Sequence, residues 1–107
     1  MGVLKMGDRG QILMKETGVY LYSHWGGSVL KKIVKASLKR NQRWNDVEYL
    51  TRIIFCEMIK DYVTSETGFG IGNSEHGDNE HDLIIVDTET QTVQIGKTKK
   101  TFKGFIK

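Results

Sequence analysis

Four side chains among the first 25 residues are of kinds that do chemistry at short range: Asp8, Arg9, His24 and Trp25. A carboxylate beside an imidazole orients a general acid or base, a guanidinium pairs with phosphate, and an indole stacks on a base. Their spacing predicts that they meet. Gln11–Lys15 is a short apolar run and Val19–Ser23 alternates aliphatic with aromatic residues. Glu16-Thr17-Gly18 between them reads as a hairpin turn with Gly18 at positive φ. In such a hairpin the start of the first strand lies beside the end of the second, so Asp8 and Arg9 fall next to Ser23, His24 and Trp25. Gly26 and Gly27 then let the chain turn, and Ser28 stands where it would cap the helix that follows. Helix N-terminal amides at that point would face an anion.

The elements that must hold these residues follow from periodicity. Ser28–Arg40 is amphipathic, with Leu30, Ile33, Val34 and Leu38 on one face and Lys31, Lys32, Lys35 and Lys39 on the other. Asn45-Asp46-Val47-Glu48 has the form of an N-cap with a capping-box glutamate, and a second helix is expected from about Asp46 to Val63. It is apolar around most of its circumference and should be the most buried helix. Glu57 and Asp61 lie on or beside its apolar face, so Glu57 calls for a partner, with Arg9, His24 or Lys60 in reach. Thr64–Asn73 reads as a glycine-rich loop that closes the helix, with Gly68 at its C′ position; its glycine spacing is not a dinucleotide fingerprint.

Ser74–Asp82 is a polar loop whose His76 and His81 lack the spacing of a zinc site, and no metal is expected there. Leu83–Val86 and Thr92–Ile95 form a second hairpin, and Thr98–Lys107 docks through Phe102, Phe105 and Ile106. The order strand, strand, helix, helix, strand, strand predicts a small two-layer α+β domain. Its antiparallel sheet of about four strands carries the helices on one face, and residues 1–107 form a single domain.

Composition narrows the classes. A hydrophobic fraction of 38% and a charged fraction of 27% are those of an ordinary globular domain. No apolar run approaches the ~20 residues of a membrane helix and the N-terminus lacks a signal-peptide core, so a cytoplasmic protein without membrane contact is expected. Cys56, the single cysteine, lies in the most apolar segment and reads as a buried small hydrophobe. Basic residues gather in Lys31–Arg43 and Lys97–Lys107, acids in Glu75–Glu89, which gives the chain surfaces of opposite sign.

With Gly7-Asp8-Arg9 after Met6, Tyr20-Leu-Tyr-Ser-His-Trp-Gly-Gly27, Arg52-Ile-Ile-Phe55 and Thr67-Gly-Phe-Gly-Ile71 in view, the chain resembles a family of small uncharacterised proteins of bacteria, archaea and their viruses. Occurrence in viruses implies a short protein of the host cytoplasm that disables a host defence component or its nucleotide signal.

From the residues themselves come three functions. The first is a binding protein for an anionic ligand, a nucleotide or a nucleic-acid-bearing partner, held by Asp8, Arg9, His24, Trp25, Gly26, Gly27 and Glu57. The second is a small hydrolase or phosphodiesterase using His24, oriented by Asp8, Glu57 or Asp61. Ser23 is no partner for it, because strand neighbours point to opposite faces. The third is a homodimeric interaction module that uses the tyrosine face and the basic helix.

Overall fold

The computed structural model describes residues 7–107, so Met6 of the resembling segment lies outside the described residues. Six strands form one mixed sheet in the order β3-β2-β1-β4-β5-β6. They are β1 (Gly10–Met14), β2 (Val19–Ser23), β3 (Phe69–Gly72), β4 (Ile84–Asp87), β5 (Thr92–Ile95) and β6 (Thr98–Thr101). Three helices accompany them: α1 (Leu30–Leu38), α2 (Val47–Ile59) and the short α3 (Phe102–Phe105). Among the described residues, no helix is long and apolar enough to cross a membrane.

The expected hairpins are present. β1 and β2 pair with Gly10 opposite Ser23 and Met14 opposite Val19 across Gly18, whose φ is +69°. β4 and β5 pair from Ile84–Ile95 to Asp87–Thr92. The sheet corrects the four-stranded antiparallel expectation in two ways. It has two further strands: β3 extends it beyond β2 and β6 extends it beyond β5. The two hairpins also join in parallel, β1 against β4.

Strand alternation sorts the side chains. Ile12, Met14, Leu21, Ile84, Val86 and Val93 point to one face and are buried under Leu30, Val34 and Leu38 of α1, Leu50, Ile54 and Met58 of α2, and Phe102 and Phe105 of α3. Gln11, Leu13, Tyr20, Tyr22 and Ile85 point to the other. Among the described residues, no helix covers that face. β3 ends at one end of the sheet and β4 begins at the other, so residues 73–83 must travel back along the open face. Gln11, only 1% exposed, pins them: its amide nitrogen donates to the Ser74 carbonyl at 3.1 Å, and its oxygen accepts from His76 N at 2.8 Å and Asn79 Nδ2 at 2.9 Å.

Three local expectations are also corrected. The N-cap of α2 is Asp46, not Asn45, and its carboxylate accepts from Tyr49 N at 3.2 Å. The helix stops at Ile59, not Val63, so Gly68 with φ +101° is not its C′ glycine but the entry to β3. Cys56 is exposed, on the outer strip of α2 one turn from Arg52, whose guanidinium lies 3.9 Å from its sulfur.

Candidate functional site

The end of the β1–β2 hairpin does gather Asp8, Arg9, His24 and Trp25, but the sheet divides them. Alternation continues past the strand ends and sends Arg9 and His24 to the open face, Asp8 and Trp25 to the helix face. Three groups of contacts result.

On the open face, a Cβ placed on Gly7 would lie 3.0 Å from Arg9 Nη1 and 3.2 Å from His24 Nε2, so both side chains border that glycine. Arg9 is already neutralised. Its Nε donates to the Asp78 carbonyl at 3.1 Å, and its guanidinium pairs with the carboxylates of Asp78 at 3.4 Å and Glu80 at 3.7 Å. His24 Nδ1 bonds to the Tyr22 hydroxyl at 2.7 Å, and Tyr22 packs against the His76 ring at 4.5 Å between centroids. Burial pushes the Tyr22 phenol above its ordinary pKa, with the charge of Asp78 adding to the effect and that of Arg9 opposing it.

On the helix face, Asp8 closes the start of the first helical segment. Its carboxylate accepts from the Ser28 amide at 3.1 Å, from the Ser28 hydroxyl and from His81 Nε2. The Ser28 hydroxyl, then the His81 contact, hold the Asp8 carboxyl at about 2, well below its ordinary 3.8. The main chain is drawn in as well: Asp8 N donates to His24 O at 2.8 Å, and Gly27 N donates to Asp8 O at 2.6 Å. This approach requires glycine. A Cβ on Gly27 would stand 2.7 Å from Asp8 O and 2.8 Å from Arg9 C. Ser28 therefore does not cap α1. It sits inside a 3-10 turn, Gly27–Val29, and serves with its amide and hydroxyl as donor to Asp8. The Ser28 amide, expected to face an external anion, is taken by the Asp8 carboxylate, and the Gly27 amide by the Asp8 carbonyl.

The third group is a groove of about 540 Å³ between the β2–β3 end of the sheet, the start of α1 and the end of α2. Val29, Leu30, Ile33, Met58 and Phe69 make its apolar walls, and Trp25 and Tyr62 stand at its mouth. Trp25 is 58% exposed yet held: its six-membered ring lies on Gly68, where a Cβ would come within 2.9 Å, and its edge meets His24 at 4.8 Å between centroids. Tyr62 leans on Phe69 with ring centroids 5.7 Å apart. Glu57 lines this groove with Gly26 and is not partnered by Arg9 or His24. Its carboxylate takes Lys60 Nζ at 2.8 Å and lies 3.9 Å from Arg40 Nη1.

Of the seven residues read from the sequence, Trp25, Gly26 and Glu57 thus share the groove. Asp8 and Gly27 build the turn behind it, Arg9 lies across the sheet, and His24, bonded to Tyr22 on that side, reaches the groove only through its ring contact with Trp25. The geometry also bears on hydrolysis. The only hydrogen bond to the His24 ring among the described residues comes from Tyr22, not a carboxylate. Asp8 orients His81, while the Ser28 hydroxyl bonds to Asp8 and not to that histidine, so no serine–histidine–aspartate relay forms. His76 and His81 are held by different partners, Tyr22 and Asp8, and no group of three metal-ligating side chains is present among the described residues.

Sequence reasoning weighed His81 only as a metal ligand and not as a partner of Asp8, and it did not place Phe69 or Tyr62 at the site. His81 had one usable signal, its place in an acidic histidine loop; the other two depend on where α2 ends and β3 begins. Compared with family models, curated proteins and solved structures, the chain matches none of them.

Proposed function

We propose that this chain is a small binding protein without chemistry of its own, whose groove takes a ligand with a flat ring, a nucleobase-bearing molecule being the class that fits. The observation that carries it is Trp25: a large aromatic surface left open at a groove mouth and fixed there by Gly68 and His24. A volume of about 540 Å³ falls within the ~300–1,000 Å³ of small-molecule sites, and stacking a base on an aromatic side chain contributes about 1–3 kcal/mol.

The anionic part of the expected ligand finds less support. Lys60 is the one cation among the groove's lining residues and it pairs with Glu57, while Asp61 adds a negative charge to the rim. A nucleoside or a ligand with little phosphate therefore suits the groove better than a polyphosphate. The host-defence reading attached to the family resemblance belongs to the same proposal, since sequestering a base-bearing signal needs a groove and no reaction. Ser23, Trp25, Gly26, Thr67 and Phe69, from the two most specific resembling segments, line that groove.

Tryptophan fluorescence tests it. Trp44 is turned inward, its indole N–H donating to Leu38 O at 3.0 Å and its ring against Phe102, so a ligand in the groove changes Trp25 emission alone. Adenosine and guanosine are expected to give saturable quenching and ATP a weaker response. Trp25→Ala should abolish the signal, and Gly68→Ala, whose Cβ would displace the indole, should weaken it at least tenfold. No saturable change with any nucleoside overturns the proposal.

A further inference from the structure

We propose that β3 is a docking strand: an extended segment of a partner protein, carrying lysine or arginine at its ends, adds to the sheet along Phe69–Gly72. The site is the strand's outer edge, distinct from the groove on its inner side.

The backbone supplies the first argument. His24 N donates to Gly68 O at 2.9 Å, and Tyr22 and Tyr20 stand opposite Gly70 and Gly72. In an antiparallel pair, hydrogen-bonded positions alternate, so the polar groups of Gly70 and Gly72 face β2 while those of Phe69 and Ile71 face outward. No hydrogen bond to the backbone of Phe69 or Ile71 occurs among the described residues beyond the sheet. The strand thus offers two N–H groups and two carbonyls at the spacing an added strand needs.

The side chains supply the second. Exposed sheet edges are normally guarded by charge, and β6 is: Lys99 and Lys100 lie in it and Lys97 just before it. β3 carries no charge. Its glycines leave the open face flat, with nothing within 4 Å of a Cβ on Gly72, while Ile71, 63% exposed, presents an apolar contact to whatever lies alongside.

Charge selects the partner. Asp61 and Glu66 precede β3 and Glu75 follows it, and no lysine or arginine stands between Lys60 and Lys97. Asp78 and Glu80, further along the chain, are taken up by Arg9 just before β1. A second copy pairing β3 with β3 would set Asp61, Glu66 and Glu75 against themselves. A strand with basic ends meets opposite charge at both.

The test uses two fluorescein-labelled peptides with a common Thr-Val-Thr-Val-Thr core, one ending in Lys-Arg on both sides and the other in Glu-Asp. Fluorescence polarisation with the full chain should show the basic peptide binding at least tenfold more tightly. That preference should fall as salt rises from about 0.1 M to about 1 M, where screening shortens from ~10 Å to ~3 Å. Ile71→Pro removes an outward N–H and should weaken binding at least tenfold; Ile71→Lys, which keeps the backbone and adds a guarding charge, should do the same. Circular dichroism reports whether each variant is folded. Equal binding of both peptides, binding of neither, or unchanged binding to folded Ile71→Lys overturns the proposal. So does self-association in sedimentation velocity that the basic peptide does not displace, which would make a second copy the occupant.

Discussion

Asp8→Asn isolates the charge of the carboxylate on which the site's architecture converges. Asparagine keeps the size and one acceptor for the Ser28 amide and hydroxyl but carries no negative charge. On folding, the Asp8 pKa falls from its ordinary 3.8 to about 2. A tenfold change in proton affinity corresponds to about 1.4 kcal/mol, so the charged form contributes about 2 kcal/mol of stability. The sign follows from the depression: the folded state releases this proton more readily, so the contribution is complete above the unfolded value and is lost as pH falls through the folded one. Urea unfolding of parent and variant should therefore differ by about 2 kcal/mol at pH 7. The gap should narrow below pH 4 and shrink to about 0.5 kcal/mol near pH 2. Asp87, whose carboxyl is also held low, titrates in both proteins and cancels in the difference; burial opposes its ionisation, but the Thr90 amide and the Lys15 ammonium outweigh it. An equal gap at pH 2.5 and pH 7 would show that shape, not charge, is what Asp8 supplies. A gap below about 0.5 kcal/mol at pH 7 would refute the reasoning outright.

Glu57→Gln should cost under about 1 kcal/mol in urea unfolding, because its partner Lys60 is largely exposed even though the glutamate side chain is only 15% exposed. A larger loss would mean that the carboxylate has a buried partner. Gly27→Ala should cost about 3 kcal/mol, since its Cβ meets backbone atoms of Asp8 and Arg9 that cannot rotate away, whereas Gly72→Ala, with open space around it, should unfold at nearly the parent's urea midpoint.

What could be read from the sequence was what depends on neighbours in the chain. The β1–β2 and β4–β5 hairpins follow from alternation and short turns, and α1 from its single apolar face. β6 was hidden because Thr98-Lys-Lys-Thr101 has no apolar face to announce it; Gly96, at φ +59°, turns the chain back onto β5, and pairing makes the strand. β3 was hidden because glycine at 70 and 72 reads as loop, and only the waiting edge of β2 decides otherwise. Cys56 shows the limit of local hydrophobicity: a segment can be apolar on average while one residue of it faces water.

The groove arises from the two features that periodicity conceals. Continued to Val63, α2 would carry Tyr62 on along the helix. Instead the chain leaves the helix after Ile59, Tyr62 N closes a turn on Ile59 O at 2.7 Å, and the tyrosine swings out to lean on Phe69. Phe69 is available to receive it because β3 is a strand whose odd-numbered residues point to the helix face, opposite Ser23 and Leu21. The hairpin end supplies the remaining wall, and here alternation explains why His24 and Trp25, adjacent in the chain, do different things. His24 turns to the open face and joins Tyr22, while Trp25 turns to the helix face and meets Gly68 at the point where β3 begins. The two rings still meet edge-on at 4.8 Å, so His24 steadies Trp25 while its own hydrogen bond goes to the open face. Assigning faces first leaves Trp25 with Phe69 and Tyr62 as the surface a ligand would meet, and Arg9 with Tyr22 as the clasp that holds residues 76–80 on the open face.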